Sequence, residues 1–204
     1  MPPPDCVFLD IDTQNDFMLP QGRLYVPGAE GIHRAVRQLV AGAGSAGIPV
    51  LSSVDDHPPD DPEFARFGPH CVHGTPGQAK LDGTLLPGWR IVDLADGSAD
   101  LRAALAEGCP QLVFTKRTFS IWDNRHFGRL MEALRPVRAV VFGVATEFCV
   151  RAAVEGLLDR GLRVEVVADA IRGIDPSAAE ACCRDWARRG VAFLSAAQAV
   201  GRAA

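Results

Sequence analysis

A chain of 204 residues, 48% hydrophobic and 23% charged, is long enough for one domain with a substantial core and too short for two ordinary ones, so residues 1–204 are expected to form one domain. Its formal charge of -4 at pH 7 comes with no run of basic residues longer than a pair, which excludes the footprint of a nucleic-acid or polybasic membrane binder and points to a small-molecule partner. No apolar stretch reaches the ~18 residues of a membrane span, and "MPPPDCVF" lacks the basic-then-apolar pattern of a leader, so a cytosolic location is expected.

The first predicted element is the apolar run "CVFLDI" at 6–11, a strand that delivers Asp12, followed by an irregular segment at 12–28. Ile32, Val36, Leu39 and Val40 then recur at helical spacing, before a second strand "IPVLSSV" at 48–54 that delivers Asp55 and His57. Residues 55–88 are rich in proline and glycine, too irregular for an element and too long for an ordinary loop, which signals function. Beyond them come "RIVDL" at 90–94, a helix carrying Leu101, Ala104 and Leu105, and "QLVFT" at 111–115 with Lys116 directly after it. The strand "RAVVFG" at 138–143 leads into a helix bracketed by Thr146 as N-cap and Gly161, with Cys149 at its third position. "RVEVVA" at 163–168, a helix opened by Asp175 and Pro176 and closed by Gly190, and "VAFLS" at 191–195 complete the chain. Strands alternating with helices give an α/β fold: three layers, α/β/α, with a mostly parallel central sheet and helices on both faces.

An open parallel sheet binds ligands at the carboxyl ends of its strands, where Asp12, Asp55, His57, Lys116 and Cys149 all fall. The chemistry that three of them share is nucleophilic acyl transfer. A helix N-terminus and a nearby cation lower a thiol pKa from about 8.5 to roughly 3.5–7.5, so a reactive thiolate is expected at Cys149, with Lys116 as the cation. Asp12 can take the thiol proton and hand it to a leaving amine. The Cys149 amide and another from the 144–146 turn are candidates for an oxyanion hole. Of the other cysteines, Cys6, Cys71, Cys109, Cys182 and Cys183 read as small buried hydrophobes in a reduced compartment.

A second cluster has ligands suited to zinc, manganese or iron(II): Asp55, His57 and His70, with one acid from Asp60, Asp61 or Glu63. Asp-x-His at a strand end directs both side chains to one side. His73 is a possible decoy, and His33 and His126 read as helix-surface residues.

With "FLDIDTQNDF", "DDH", "PHCVHGTPG", "VFTKRTFS" and "GVATEFCVRAAVEGLLDRG" in that order, nearly the whole chain resembles the isochorismatase-like cysteine hydrolases, and within them the nicotinamidases. The resemblance implies a catalytic triad of Asp12, Lys116 and Cys149, an oxyanion hole made by the amides of Ala145 and Cys149, and a cis peptide between Val144 and Ala145. It also implies a divalent metal, zinc first and manganese or iron as alternatives, that binds a pyridine nitrogen through Asp55, His57 and His70. Where many nicotinamidases have a histidine as a further ligand the loop here has only acids, and Glu63, seven residues before His70, matches the glutamate of some relatives. Phe67 stands where the family often has tryptophan and is expected to stack on the substrate ring with Phe17, while Phe119 and Trp122 stand where smaller residues are usual. The expected activity is hydrolysis of nicotinamide to nicotinate and ammonia by a homo-oligomer. Two alternatives accompany it: a related cysteine amidase acting on a ureido, carbamoyl or maleamate-type amide, and a non-catalytic scaffold with an unreactive Cys149.

Overall fold

The computed structural model describes residues 4–95 and 100–203. Seven strands form one sheet: β1 (Cys6–Ile11), β2 (Val50–Asp55), β3 (Arg90–Val92), β4 (Gln111–Lys116), β5 (Arg138–Val144), β6 (Arg163–Arg172) and β7 (Ala192–Leu194). Their spatial order is β3-β4-β2-β1-β5-β6-β7, and every pairing among them is parallel, so the sheet is wholly rather than mostly parallel. Each apolar run of the sequence became a strand; the central ones, buried on both faces, favour the branched and aromatic residues they contain.

The helices are α1 (Asn15–Met18), α2 (His33–Ser45), α3 (Phe64–Phe67), α4 (Leu101–Ala106), α5 (Arg125–Leu134), α6 (Arg151–Asp159), α7 (Pro176–Arg188) and α8 (Ala196–Gly201). Alternation along β1 divides the core: Val7, Leu9 and Ile11 face a cluster with residues of α4, α5, α6 and α7, whereas Cys6 and Phe8 face one with α2 and α8. Asp175 caps α7 as its position suggests, accepting from the N–H groups of Ser177 at 2.8 Å and Ala178 at 3.2 Å.

The start of the Cys149 helix differs from expectation. β5 runs on to Val144, and Ala145 accepts from the amides of Phe148 and Val150, so Ala145 rather than Thr146 occupies the N-cap. Thr146–Val150 is a single π-helical turn leading into α6, which makes Cys149 the fourth residue of the helix. His126 also departs from its surface reading: it is the second residue of α5 and is buried. Cys182 and Cys183 are only half-buried, since α7 presents mainly Trp186 to the core.

β1 lies at the centre, with β2 on one side and β5 on the other. The direction of winding reverses there, which opens a crevice beyond the carboxyl ends of those strands. Gly143 lets β5 approach β1 just below that crevice: its φ is 118°, and a Cβ there would lie 2.0 Å from the Ile11 carbonyl oxygen.

Candidate active site

Asp12 follows β1 in a left-handed conformation, φ 48°, that turns the chain out of the sheet and leaves its carboxylate at the strand end. Lys116 closes β4 in register with Asp55, which closes β2, and Cys149 arrives from the turn after β5. All four side chains are buried. The Lys116 ammonium lies 2.8 Å from Asp12 Oδ2, donates to the Thr118 carbonyl at 2.9 Å, pairs with Asp55 Oδ1 and reaches Cys149 Sγ at 3.6 Å. Asp12 Oδ1 accepts from the Ser53 hydroxyl at 2.6 Å. Its Oδ2 lies beside the Lys116 ammonium and faces the Cys149 side of the site.

The electrostatics overturn one expectation. Burial pushes the Cys149 thiol well above its usual range; the Lys116 charge pulls it down, but Asp12 and Asp55 add to the rise. One ammonium between two carboxylates leaves a surplus of negative charge, which favours the thiol over the thiolate. Burial likewise raises the Asp12 carboxyl against the pull of Lys116, which makes it a better proton acceptor than an exposed aspartate. Burial disfavours the charge on Lys116, but the Asp12 and Asp55 carboxylates outweigh it and hold the ammonium protonated. The arrangement can move a proton from sulfur to the Asp12 carboxylate as the sulfur attacks.

The second cluster shares Asp55. Its Oδ2 is 3.9 Å from His57 Nε2 and 4.0 Å from His70 Nε2, and these three donor atoms lie within 4.8 Å of one another. The Nδ1 of His70 donates to the Gly68 carbonyl at 2.9 Å, and His57 Nδ1 meets Asp61 Oδ2 at 3.0 Å. Both rings are thereby held with Nε2 turned inward. His57 Nε2 is buried with no hydrogen-bond partner among the described residues, as a ligand nitrogen requires. These donors suit a divalent metal. Of the three acids left open by sequence, Asp61 is engaged with His57 and the Glu63 amide, Asp60 is exposed, and Glu63 lines the cavity beside Asp55 and His70. Burial and then Asp55 raise the Glu63 carboxyl. His73 stays outside, exposed and bonded to Asp56 Oδ1 at 2.7 Å.

The crevice is walled by Phe17, Phe67, Phe119 and Phe148, with Val144, Ala145, Ile174 and Cys149 around them. Glu63, Phe67 and His70 come from the 55–88 segment, so that segment covers the chain's own cavity. Phe148 has no counterpart in the sequence reading; it meets Phe119 at 5.3 Å and Phe67 at 6.3 Å between ring centroids, contacts that no local pattern announces. Trp122 does not reach the cavity. The Ser120 hydroxyl accepts from the Trp122 amide at 3.2 Å and starts a 3-10 turn that leaves Phe119 facing in and sends the indole outward to α6. There it stacks edge-on to Phe127 at 4.7 Å, with the Arg160 guanidinium 3.8 Å from its ring centre. The cavity-lining residues include the acids Asp55 and Glu63 and neither Lys nor Arg.

Known proteins resemble the chain over most of its length. Residues 6–198 match the Isochorismatase domain. The chain is 31% identical over 188 residues to the nicotinamidase of Escherichia coli (strain K12), covering 85% of each protein. Its fold is similar to that of nicotinamidase/pyrazinamidase from Bacillus subtilis, with a TM-score of 0.78 and 19% identity over 94% of this chain and 100% of that one. It is also similar to the pyrazinamidase of Pyrococcus horikoshii solved in complex with zinc, with a TM-score of 0.75 and 24% identity over 94% and 99% of the two chains. These relatives set aside the non-catalytic alternative.

Proposed function

Because the chain belongs to the isochorismatase domain family and is an amide hydrolase of the nicotinamidase-like kind, we propose that it converts nicotinamide to nicotinate and ammonia. The observation that carries this reading is the placement of a buried Cys149, Asp12 and Lys116 at one end of an aromatic-walled cavity whose other side holds a cluster of metal-type ligands.

Cys149 Sγ attacks the carboxamide carbon while its proton passes to Asp12. The amides of Ala145 and Cys149 receive the negative charge that develops on the carbonyl oxygen. Lys116 stays protonated; it holds Asp12 in place and offsets the charge of the sulfur as it loses its proton. Asp12 then returns the proton to the departing ammonia, and water hydrolyses the thioester to nicotinate, regenerating the thiol. A divalent metal, zinc first, held by Asp55, His57, Glu63 and His70, would supply a Lewis-acidic anchor for the pyridine nitrogen. Phe17, Phe67, Phe119 and Phe148 would contact the ring edges and faces.

Maleamate or a carbamoyl amino acid would bring a free carboxylate in place of the pyridine nitrogen; the charged side chains lining the cavity among the described residues are Asp55 and Glu63, so that carboxylate would depend on the metal for its counter-charge. A cytosolic homo-oligomer is part of the same reading; among the described residues no helix is long and apolar enough to cross a membrane.

The test is ammonia release from nicotinamide and from maleamate by the purified protein, before and after chelation and with zinc, manganese or iron(II) restored. Nicotinamide turnover that falls on chelation and recovers with metal supports the proposal. Cys149→Ala should keep the fold and lose turnover, and activity retained in that variant would sink the mechanism.

A further inference from the structure

Gln14 lies within the "DTQNDF" stretch and has no part in the mechanism above, yet its side chain is fully buried beside the site. The parallel ladder between β1 and β2 pairs Ile11 with Ser53, and the Asp12 amide still donates to the Ser53 carbonyl at 3.2 Å. A continued strand would next present its backbone to Asp55. The left-handed turn at Asp12 takes the chain away instead.

The Gln14 side chain takes the place of that lost peptide group. Its Oε1 accepts from the Asp55 amide at 2.7 Å and its Nε2 donates to the Asp55 carbonyl at 2.8 Å. The second Nε2 proton goes to the Gln78 carbonyl at 2.8 Å, on the segment that returns past the site. Asp55 is thus gripped on both sides of its Cα at the place where its carboxylate must serve two partners: Oδ1 faces Lys116, and Oδ2 faces the Nε2 atoms of His57 and His70.

We infer that Gln14 is the positioning residue of the metal cluster: by closing the β1–β2 ladder with its side chain, it fixes the backbone of Asp55 and with it the ligand shared by the two halves of the site. This inference rests on the metal part of the proposed function.

Gln111 is a matched control. It too is a buried glutamine whose amide makes three hydrogen bonds, to Ser52 Oγ at 2.9 Å, the Thr84 carbonyl at 3.0 Å and the Leu86 amide at 2.7 Å, but none reaches a metal-type ligand. Removing either amide strands buried polar groups, so Gln14→Met and Gln111→Met should both lower the melting temperature. Zn2+ affinity, measured by competition with a chromophoric chelator, should separate them. Loss of an outer partner of a ligand weakens metal binding roughly 10–100-fold; that loss is expected in Gln14→Met and not in Gln111→Met. If Gln14→Met does not fold, Gln14→Asn keeps an amide one methylene too short to grip both Asp55 groups and should weaken Zn2+ binding in the same direction. A folded Gln14 variant with wild-type affinity, or equal losses in the Gln14 and Gln111 variants, overturns the inference alone. Wild-type protein that takes up no Zn2+ overturns the metal reading and this inference with it.

Discussion

At the scale of single residues, Cys149 shows how burial and charge decide reactivity. The first helical turn and Lys116 favour a thiolate, but burial and two neighbouring carboxylates oppose it and win. A protonated thiol alkylates slowly at neutral pH even when it is catalytic, so slow alkylation does not mark an idle cysteine here. The two aromatic residues after Lys116 divide for a similar reason: Phe119 lines the cavity while Trp122 packs on α6. Phe119→Ala should therefore raise the KM for nicotinamide about 5- to 10-fold, equivalent to ~1 kcal/mol of ring contact. Trp122→Ala should leave KM unchanged and cost roughly 2–3 kcal/mol in chemical denaturation, below the full range for a core tryptophan because the indole is half-buried. A rise in KM for Trp122→Ala would return that residue to the substrate site. Asp12, Lys116 and Cys149 were legible because each stands at or just beyond a strand end. Phe148, by contrast, owes its place to the rings of Phe67 and Phe119, which come from other segments.

At the scale of elements, the seven apolar runs marked the seven strands, since period and residue type are local signals. The π-helical turn was not legible: one turn is too short for its period to show against 3.6. Gly143 marks a strand end in sequence, but its necessity comes from β1. An alanine there would place Cβ against the Ile11 carbonyl at a positive φ, and neither backbone strand can move without disturbing the other. Gly143→Ala is expected to destabilise the fold by at least ~2 kcal/mol in urea unfolding. Because Asp12 is the residue that follows Ile11, the variant should also lose activity in whatever fraction remains folded. A neutral effect on both readouts would show that the β1–β5 approach is softer than the structure indicates.

At the scale of the whole molecule, a long irregular segment is made part of the site by buried polar contacts. The Lys80 ammonium lies 2.7 Å from Asp10 Oδ2 and donates to the Thr13 hydroxyl at 2.7 Å, and the Leu81 amide donates to the Thr13 carbonyl at 2.8 Å. These anchors tie the far end of the 55–88 segment to the sheet, so Glu63, Phe67 and His70 are carried on a loop fixed at both ends. A metal that binds the folded cluster and not the unfolded chain stabilises the whole protein. At free Zn2+ about 100 times Kd the gain is ~2.7 kcal/mol. For a chain of 204 residues that corresponds to a rise in melting temperature of roughly 5–10 °C, readable by calorimetry with and without chelator. An unchanged melting temperature at saturating Zn2+ would count against the cluster as a metal site.

The amino-acid sequence by itself determined the alternation of strands and helices, and through it the sheet edge on which Asp12, Asp55, Lys116 and Cys149 meet. Hydrophobic period is written into neighbouring residues, and a parallel sheet sends every strand's carboxyl end the same way. Tertiary structure alone decided the burial of Cys149 beside two carboxylates, the sharing of Asp55 between Lys116 and the two histidines, the choice of Asp61 to hold His57 while Glu63 faces the cavity, and the grip of Gln14 on Asp55. Each of these depends on burial or on contacts between groups brought together only by folding. Gln14 and Asp55 lie 41 positions apart in the chain, and neither residue's immediate neighbours in sequence record the other.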